Sequence, residues 1–594
     1  MNKILLQSIP TVLLFDRFRK KSKKNKLPNT HDTSEKKKKE PEVKNEKVDV
    51  KKYITEASLI KEGEDYVLNG MITTDKYYPK LAVAFSCSYE ERGVRYFMPV
   101  FVFKFENVNP NNPVNFFLKF IDVFSELKFL DFVFLDEYDD NITKDNFYTY
   151  HQIGSALYEF DEIFKTSATT QANNTSSGDN QAGFKYLDDL IHSGSKEVIL
   201  DMDIVQSDIE KYDIGVTVDV DDITIDGKGH SIDARSLTPH FAILSKNVTL
   251  KNVVFLNGTS KAVAGSILVR NSDVVNIIDC TFDNCVSKDG GGAIFNNDAS
   301  ILIKDCIFKN NASTIGAAIL NVKNLKIEGT VFDENHAENE AGAISNQKDG
   351  NVMISNSKFI NNKSNLITGA VSNFGNMKII NTFFNKNHAK GQTGALIGYP
   401  DSNTEITKVE FRDNSADVDV GAVVIDHGIL NISNSNFINN TANNNAGALS
   451  NVGGEVNINN VKFEGNHANN AGAVLMLQNG LLKMFKTQFI NNFADSNGGA
   501  SYLDGKSFMK TVLFDSNKSK HGGALFNYDE AKLEGVYFKN NVSDKEGAAI
   551  FNSQLALIQV VDSKFENNRS GVGKSIYGEN PDGVIITNCD ISEE

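Results

Sequence analysis

The sequence predicts an all-β fold, a right-handed parallel β-helix solenoid of about 14 coils of ~26 residues, preceded by a small α+β domain. Three observations carry this. Phenylalanine recurs from Phe255 at intervals of 24 to 27 residues, through Phe282, Phe308, Phe332, Phe359, Phe384, Phe411, Phe437, Phe463, Phe489, Phe514, Phe538 and Phe565. A Gly-Ala pair followed by an apolar residue recurs in step with it, in "GGAIF", "AGALS" and "GGALF". Around each Phe the residue two before is small or β-branched, such as Cys306, Ser357 or Val461. The residue directly before it is of any kind, such as Ile307, Lys358 or Lys462. That is strand alternation, with Phe and its i−2 neighbour pointing in and the residue between pointing out.

Other repeat architectures fit less well. A propeller blade needs about 40–50 residues, and a leucine-rich repeat carries a Leu/Asn signature that is missing. One coil per repeat, with like residues stacked on the next coil, accounts for the pattern. It also accounts for 40 Phe and no Trp in 594 residues, since one structural slot is filled many times.

In chain order, four zones emerge. Residues 1–52 hold a short apolar start, "MNKILLQSIPTVLLF", and a basic tether with 16 Lys+Arg against 7 Asp+Glu. The apolar run is long enough for a signal-peptide core and too short to span a bilayer, and no small-residue cleavage site follows it. Membrane contact is expected only through residues 1–26. Residues 53–165 read as a small α+β domain. "YVLNGMI", "KLAVAFSCSY" and "RYFMPVFVFKF" look like strands, and "PVNFFLKFIDVFSELKFL" has helical length and spacing. Residues 166–183 form a polar linker without an apolar face. Residues 184–594 are the β-helix, ending on "VIITNCDISEE", which reads as a last coil.

Within a coil each residue type has a task. Phe fills the cylinder, and Gly-Ala permits a tight entry where a side chain would clash. The Asn three after Phe falls where the chain turns: Asn311, Asn335, Asn362, Asn387, Asn414, Asn440, Asn466, Asn492, Asn517, Asn541 and Asn568. Asn tolerates left-handed backbone, and its amide can bond the Asn of the adjacent coil, so these positions form a structural ladder.

The formal net charge is −15, and the chain beyond residue 52 carries −24. That balance disfavours nucleic acid for the main body, because phosphate would be repelled. Asp219, Asp221, Asp222, Asp226 and Asp233 crowd the opening coil, where Asp-rich turns are ordinary. His336, His388 and His467 share a coil position but lie two and three coils apart, too far to hold one metal. No CxxC pair occurs among Cys87, Cys280, Cys285, Cys306 and Cys589; Cys280 and Cys306 share an inward slot on neighbouring coils, close enough for a disulfide, though parallel Cβ vectors favour a simple thiol stack. No catalytic, cofactor-binding or metal-ligating residue is assigned, and no cofactor is expected. Nine Asn-x-Ser/Thr sequons are scattered through the repeats.

The paired motifs GGA[ILV] and FxxN resemble the repeats of chlamydial polymorphic outer-membrane proteins. The repeat region is also similar to adhesin-like β-helix proteins of methanogenic archaea. "VTVDVDDITIDGKGHSIDA" (216–234) resembles the opening coil of pectin-lyase-like β-helices. The resemblance covers 184–594 and implies a right-handed β-helix at the cell surface, acting in adhesion on a glycan or cell-surface protein. Two alternatives stay open: a carbohydrate-active β-helix enzyme, and a cytoplasmic or membrane-peripheral scaffold.

Overall fold

Strand pairing in this computed structural model builds a parallel β-solenoid. The described residues are 182–592, eight strands between Ile54 and Glu159, and Thr74. The basic segment 1–52 and nearly all of the 166–183 linker lie outside them. The chain divides into two compact units, Met1–Gly178 and Asp179–Glu594.

In the first unit every described element is a strand. Ile54–Glu62, Asp65–Ile72 and Val114–Ile121 form an antiparallel sheet with Asp65–Ile72 in the centre. A second sheet is built on Tyr78–Glu91, which pairs with Val94–Phe97, Phe101–Val108 and Phe129–Asp136; Gln152–Glu159 adds to the last of these. The stretch read as a helix is therefore corrected: Val114–Ile121 is a strand, and Phe129–Asp136 begins another. The spacing of apolar residues suited a helix, but "VNFFLKFI" is mostly β-branched and aromatic, the residues that pack best on a pleated surface. A neighbouring edge was there to receive it.

The second unit repeats one coil of four strands. In one copy they are Ile294–Asn296, Ser300–Lys304, Ile307–Lys309 and Ala312–Ile315. First and second strands stack into a 29-stranded sheet, third strands into a 16-stranded sheet and fourth strands into a 13-stranded sheet. The 16 rungs exceed the coils counted from Phe because the ends use Ile. Ile204 pairs with Ile232, Ile232 with Phe255, and Phe565 with Ile591.

From Phe255 to Phe565 the rings are fully buried and stacked, with centroids 4.6–5.0 Å apart and planes within 3–16°. Each burial contributes on the order of 2–3 kcal/mol, and the separation matches the ~4.8 Å between paired strands. The Gly-Ala turn is tight for a specific reason. A Cβ on Gly421 would lie 2.0 Å from the carbonyl oxygen of Gly447 on the next coil.

A helix, Phe184–Ile191, covers the open end of the first coils with Phe184, Leu187 and Ile191 buried. The carboxylate of Glu210 accepts from the backbone N–H of Phe184 and Lys185 at 3.2 and 2.8 Å, serving the helix's free donors. Among the described residues no helix is long and apolar enough to cross a membrane.

Candidate functional site: the outer face of the second strands

Two corners of each coil, on either side of the third strand, use one left-handed residue. Between third and fourth strands it is the residue two after Phe, such as Asn310 (φ 55°), Asn361 (φ 54°) or Asn439 (φ 54°). The asparagine three after Phe is therefore not the left-handed one, which corrects the sequence reading. It points inward instead. Asn440 shows the arrangement. Its Oδ1 accepts from the backbone N–H and the Nδ2 of Asn414, both at 3.0 Å. Its Nδ2 donates to Phe411 O at 2.9 Å and to Asn466 Oδ1 at 3.0 Å. The same contacts link Asn311 through Asn568, all 0–4% exposed. Five of the nine sequons are these ladder residues, and their amides are spent.

A second buried ladder went unnoticed in the sequence. Asn296, Asn321, Asn346 and Asn373 close the first strands, with Nδ2–Oδ1 distances of 2.8–2.9 Å between coils. The signal was there, as the Asn after "GGAIF", "GAAIL", "AGAIS" and "TGAVS". It stops at Gly398, which has no amide, and returns at Asn527 and Asn552.

The other sequence candidates are placed plainly. Asp226 is buried and held by Lys228 Nζ at 2.8 Å, Lys251 Nζ at 3.3 Å and Asn252 Nδ2 at 3.0 Å, which keep its carboxyl well below the usual range although burial opposes this. Asp219 pairs with His192, Asp221 accepts from the Lys246 N–H, Asp222 from Asn247 and Asp233 from Asn257. All five brace the opening coil. His336, His388 and His467 are partly exposed on separate coils, each near one carboxylate. Cys280 donates its N–H to Cys306 Sγ at 3.4 Å; both thiols are free, and the Cys306 thiol is pushed up by its Cys280 neighbour and by burial.

One candidate ligand surface is the outer face of the second strands. A groove of about 650 Å³ runs along it, parallel to the solenoid axis, from Val274 to Glu405. One wall is an exposed row of Ser300, Asn324, Asn351, Asn376 and Asn403. Asn324 Nδ2 donates to Ser300 Oγ (3.1 Å), Asn351 to Asn324 (3.3 Å) and Asn376 to Asn351 (3.0 Å). An asparagine amide has two N–H donors and a two-lone-pair acceptor, so each rung keeps a donor and an acceptor for a partner. The floor is Leu302, Met353 and the stems of Lys326 and Lys378. Lys378 Nζ sits 2.6 Å from Glu405, the one carboxylate among the described lining residues. A smaller hollow of about 220 Å³ continues past Glu405 along Asn431, Asn457 and Asn459 to Phe485. The face offers hydroxyl-binding amides about every 4.8 Å over six coils, ~24 Å in all.

Comparison with known proteins adds one family match. Residues 535–553 match the Chlamydia polymorphic membrane protein (Chlamydia_PMP) repeat. The matched stretch spans a Phe-x-x-Asn corner, Phe538 to Asn541, and the Gly547 turn. The resemblance seen in GGA[ILV] and FxxN thus rests on an actual repeat of that type, set in a parallel β-solenoid. No curated protein matches the chain. Three solved structures are similar at low identity. A mutant of the PL6 family alginate lyase AlyGC is 10% identical, with 69% of this chain and 88% of that one covered and a TM-score of 0.21. The Agl-KA catalytic domain is 9% identical (90% and 96% covered, TM-score 0.27). The catalytic unit of the thermostable GH87 α-1,3-glucanase from Streptomyces thermodiastaticus strain HF3-3 is 8% identical (89% and 96% covered, TM-score 0.23).

Proposed function

We propose that this chain is a non-catalytic β-helix protein of the cell surface that holds an extended glycan along the outer face of its second strands. The observation that carries this is the amide row Asn324, Asn351, Asn376 and Asn403 beside an apolar floor. A hydroxyl-rich chain lying along the axis meets one donor–acceptor pair per coil, and its apolar ring faces rest on Leu302 and Met353. Hydrolysis of a glycosidic bond ordinarily takes two carboxyl groups about 5–10 Å apart. The described groove lining offers Glu405, already tied to Lys378, which favours retention of the ligand over its cleavage. The Chlamydia polymorphic membrane protein repeat supports display at a surface.

Two measurements test the reading. Protease added to intact cells that make the protein should cut the solenoid; full protection until lysis would favour an intracellular scaffold instead. Incubation with neutral and anionic polysaccharides should leave their chain lengths unchanged. Steady release of fragments would replace the binding reading with an enzymatic one.

A further inference from the structure

A second axial groove runs one corner further round each coil, where second strands turn into third strands. It exists because the inward residue two before each Phe is small: Ser357, Thr382, Val409 and Val461 floor it. One wall is the left-handed corner row, including Asn356, Asn381, Lys408, Asn434, Asn460 and Lys486. The other is the outward row of the third strands, Lys358, Phe383, Glu410, Asn436, Lys462 and Gln488, paired rung to rung. Two hollows of about 490 and 240 Å³ share Asn434 and Asn436, so the groove is continuous over six coils, ~24 Å.

Its charge sets it apart from the body around it. Beyond residue 52 the chain carries −24. Inside the groove, Glu410 is held by Arg412 at 2.8 Å, and Lys462 is held by Glu464 at 2.6 Å. Lys358, Lys408 and Lys486 have no carboxylate at ion-pair distance among the described residues. Three uncompensated ammonium groups thus stand along an amide-lined trough, about 10 and 14 Å apart along the axis. Lys408 and Lys486 also occupy left-handed positions (φ 56° and 48°), where the adjoining Asn381, Asn434 and Asn460 are asparagine. That placement runs against local backbone preference.

We infer that this corner groove binds an acidic polysaccharide lying along the solenoid axis. The lysines meet its carboxylate or sulfate groups, the asparagine amides meet hydroxyls between them, and the Phe383 ring offers a flat apolar face for one sugar. The spacing favours this over nucleic acid. A nucleic acid carries a charge at every nucleotide, ~3.4 Å along each strand, and would meet one lysine for every several phosphates on an acidic body. This inference is independent of the glycan proposed for the second-strand face.

The test uses the full chain and its K358Q/K408N/K486N variant, all three positions being exposed and Asn already serving at equivalent corners. Probes are polygalacturonate, chondroitin sulfate, fully methyl-esterified polygalacturonate and single-stranded oligo-dT. The wild-type chain should bind at least one acidic polysaccharide, more tightly than the neutral ester. The variant should lose about tenfold in affinity at low salt. An N351A/N376A variant, altered only on the second-strand face, should keep that binding. Equal affinity of wild type and triple variant, equal affinity for ester and acid, no binding to either acidic polysaccharide, or tighter variant-sensitive binding of oligo-dT would each overturn the inference.

Discussion

At the scale of single residues, the solenoid depends on side chains that complete another coil's hydrogen bonds. Asn440 satisfies two donors of Asn414 and the carbonyl of Phe411. Asn440→Ala would strand these groups in the core, each buried and unsatisfied group costing about 1–3 kcal/mol. The expected loss is roughly 3 kcal/mol, read by denaturant unfolding, with faster amide exchange in the adjoining coils than at the ends of the helix. His240 makes a pH prediction. It is fully buried beneath the covering helix, its Nε2–H donating to Ile232 O (2.9 Å) and Leu256 O (3.0 Å) while Nδ1 accepts from Ser266 Oγ (2.9 Å). Burial pushes its pKa down to about 4. Its unfolded value is near 6.5, so the unfolded state binds the proton first. The stability of the neutral form is complete above about pH 6.5 and falls as pH drops toward 4, by about 3 kcal/mol in total. Amide exchange in the first coils should quicken over that window, and His240→Gln should flatten the dependence.

At the scale of the coil, backbone preference at the corners governs stability. The corner between second and third strands is Asn, Asp or Gly in most coils but Thr511 in one, at φ 57°. A β-branched residue is strained there, so Thr511→Asn should raise stability by about 1 kcal/mol in equilibrium denaturation. The reverse change, Asn434→Thr, should lower it by a similar amount. These particulars show what the sequence could and could not reveal. Phe and Gly-Ala were legible because a solenoid repeats its inward residues, while outward ones drift. The inward asparagine was legible as a position, but its corner role belonged to the residue before it, since letters alone do not give φ. The Asn296 ladder was missed because it breaks at Gly398 and so lost its period. The covering helix, "FKYLDDLI", was missed because it is short and not repeated. "VNFFLKFI" misled because periodicity cannot show that a strand edge is waiting. The two grooves could not be read, since their outward rows keep asparagine over only a few coils: the first begins at Ser300, and the second is interrupted by Lys408 and Lys486.

At the scale of the whole molecule, each coil packs mainly against its two neighbours, so damage stays local and outward positions are free to vary. The buried ladders and the Phe stack hold the coils together; the exposed rows are the surface we propose binds glycan. Two parallel grooves result, one lined by amides over an apolar floor and one by amides with uncompensated lysines. The measurement that tests the central claim most directly is a glycan array probed with the full chain and with its N351A/N376A variant. For the neutral glycans of the array, the account predicts retention of an extended chain by the wild-type protein, loss of that signal in the variant, and no change in the length of the bound glycan. Undiminished binding by the variant, or shortening of the glycan, would contradict it.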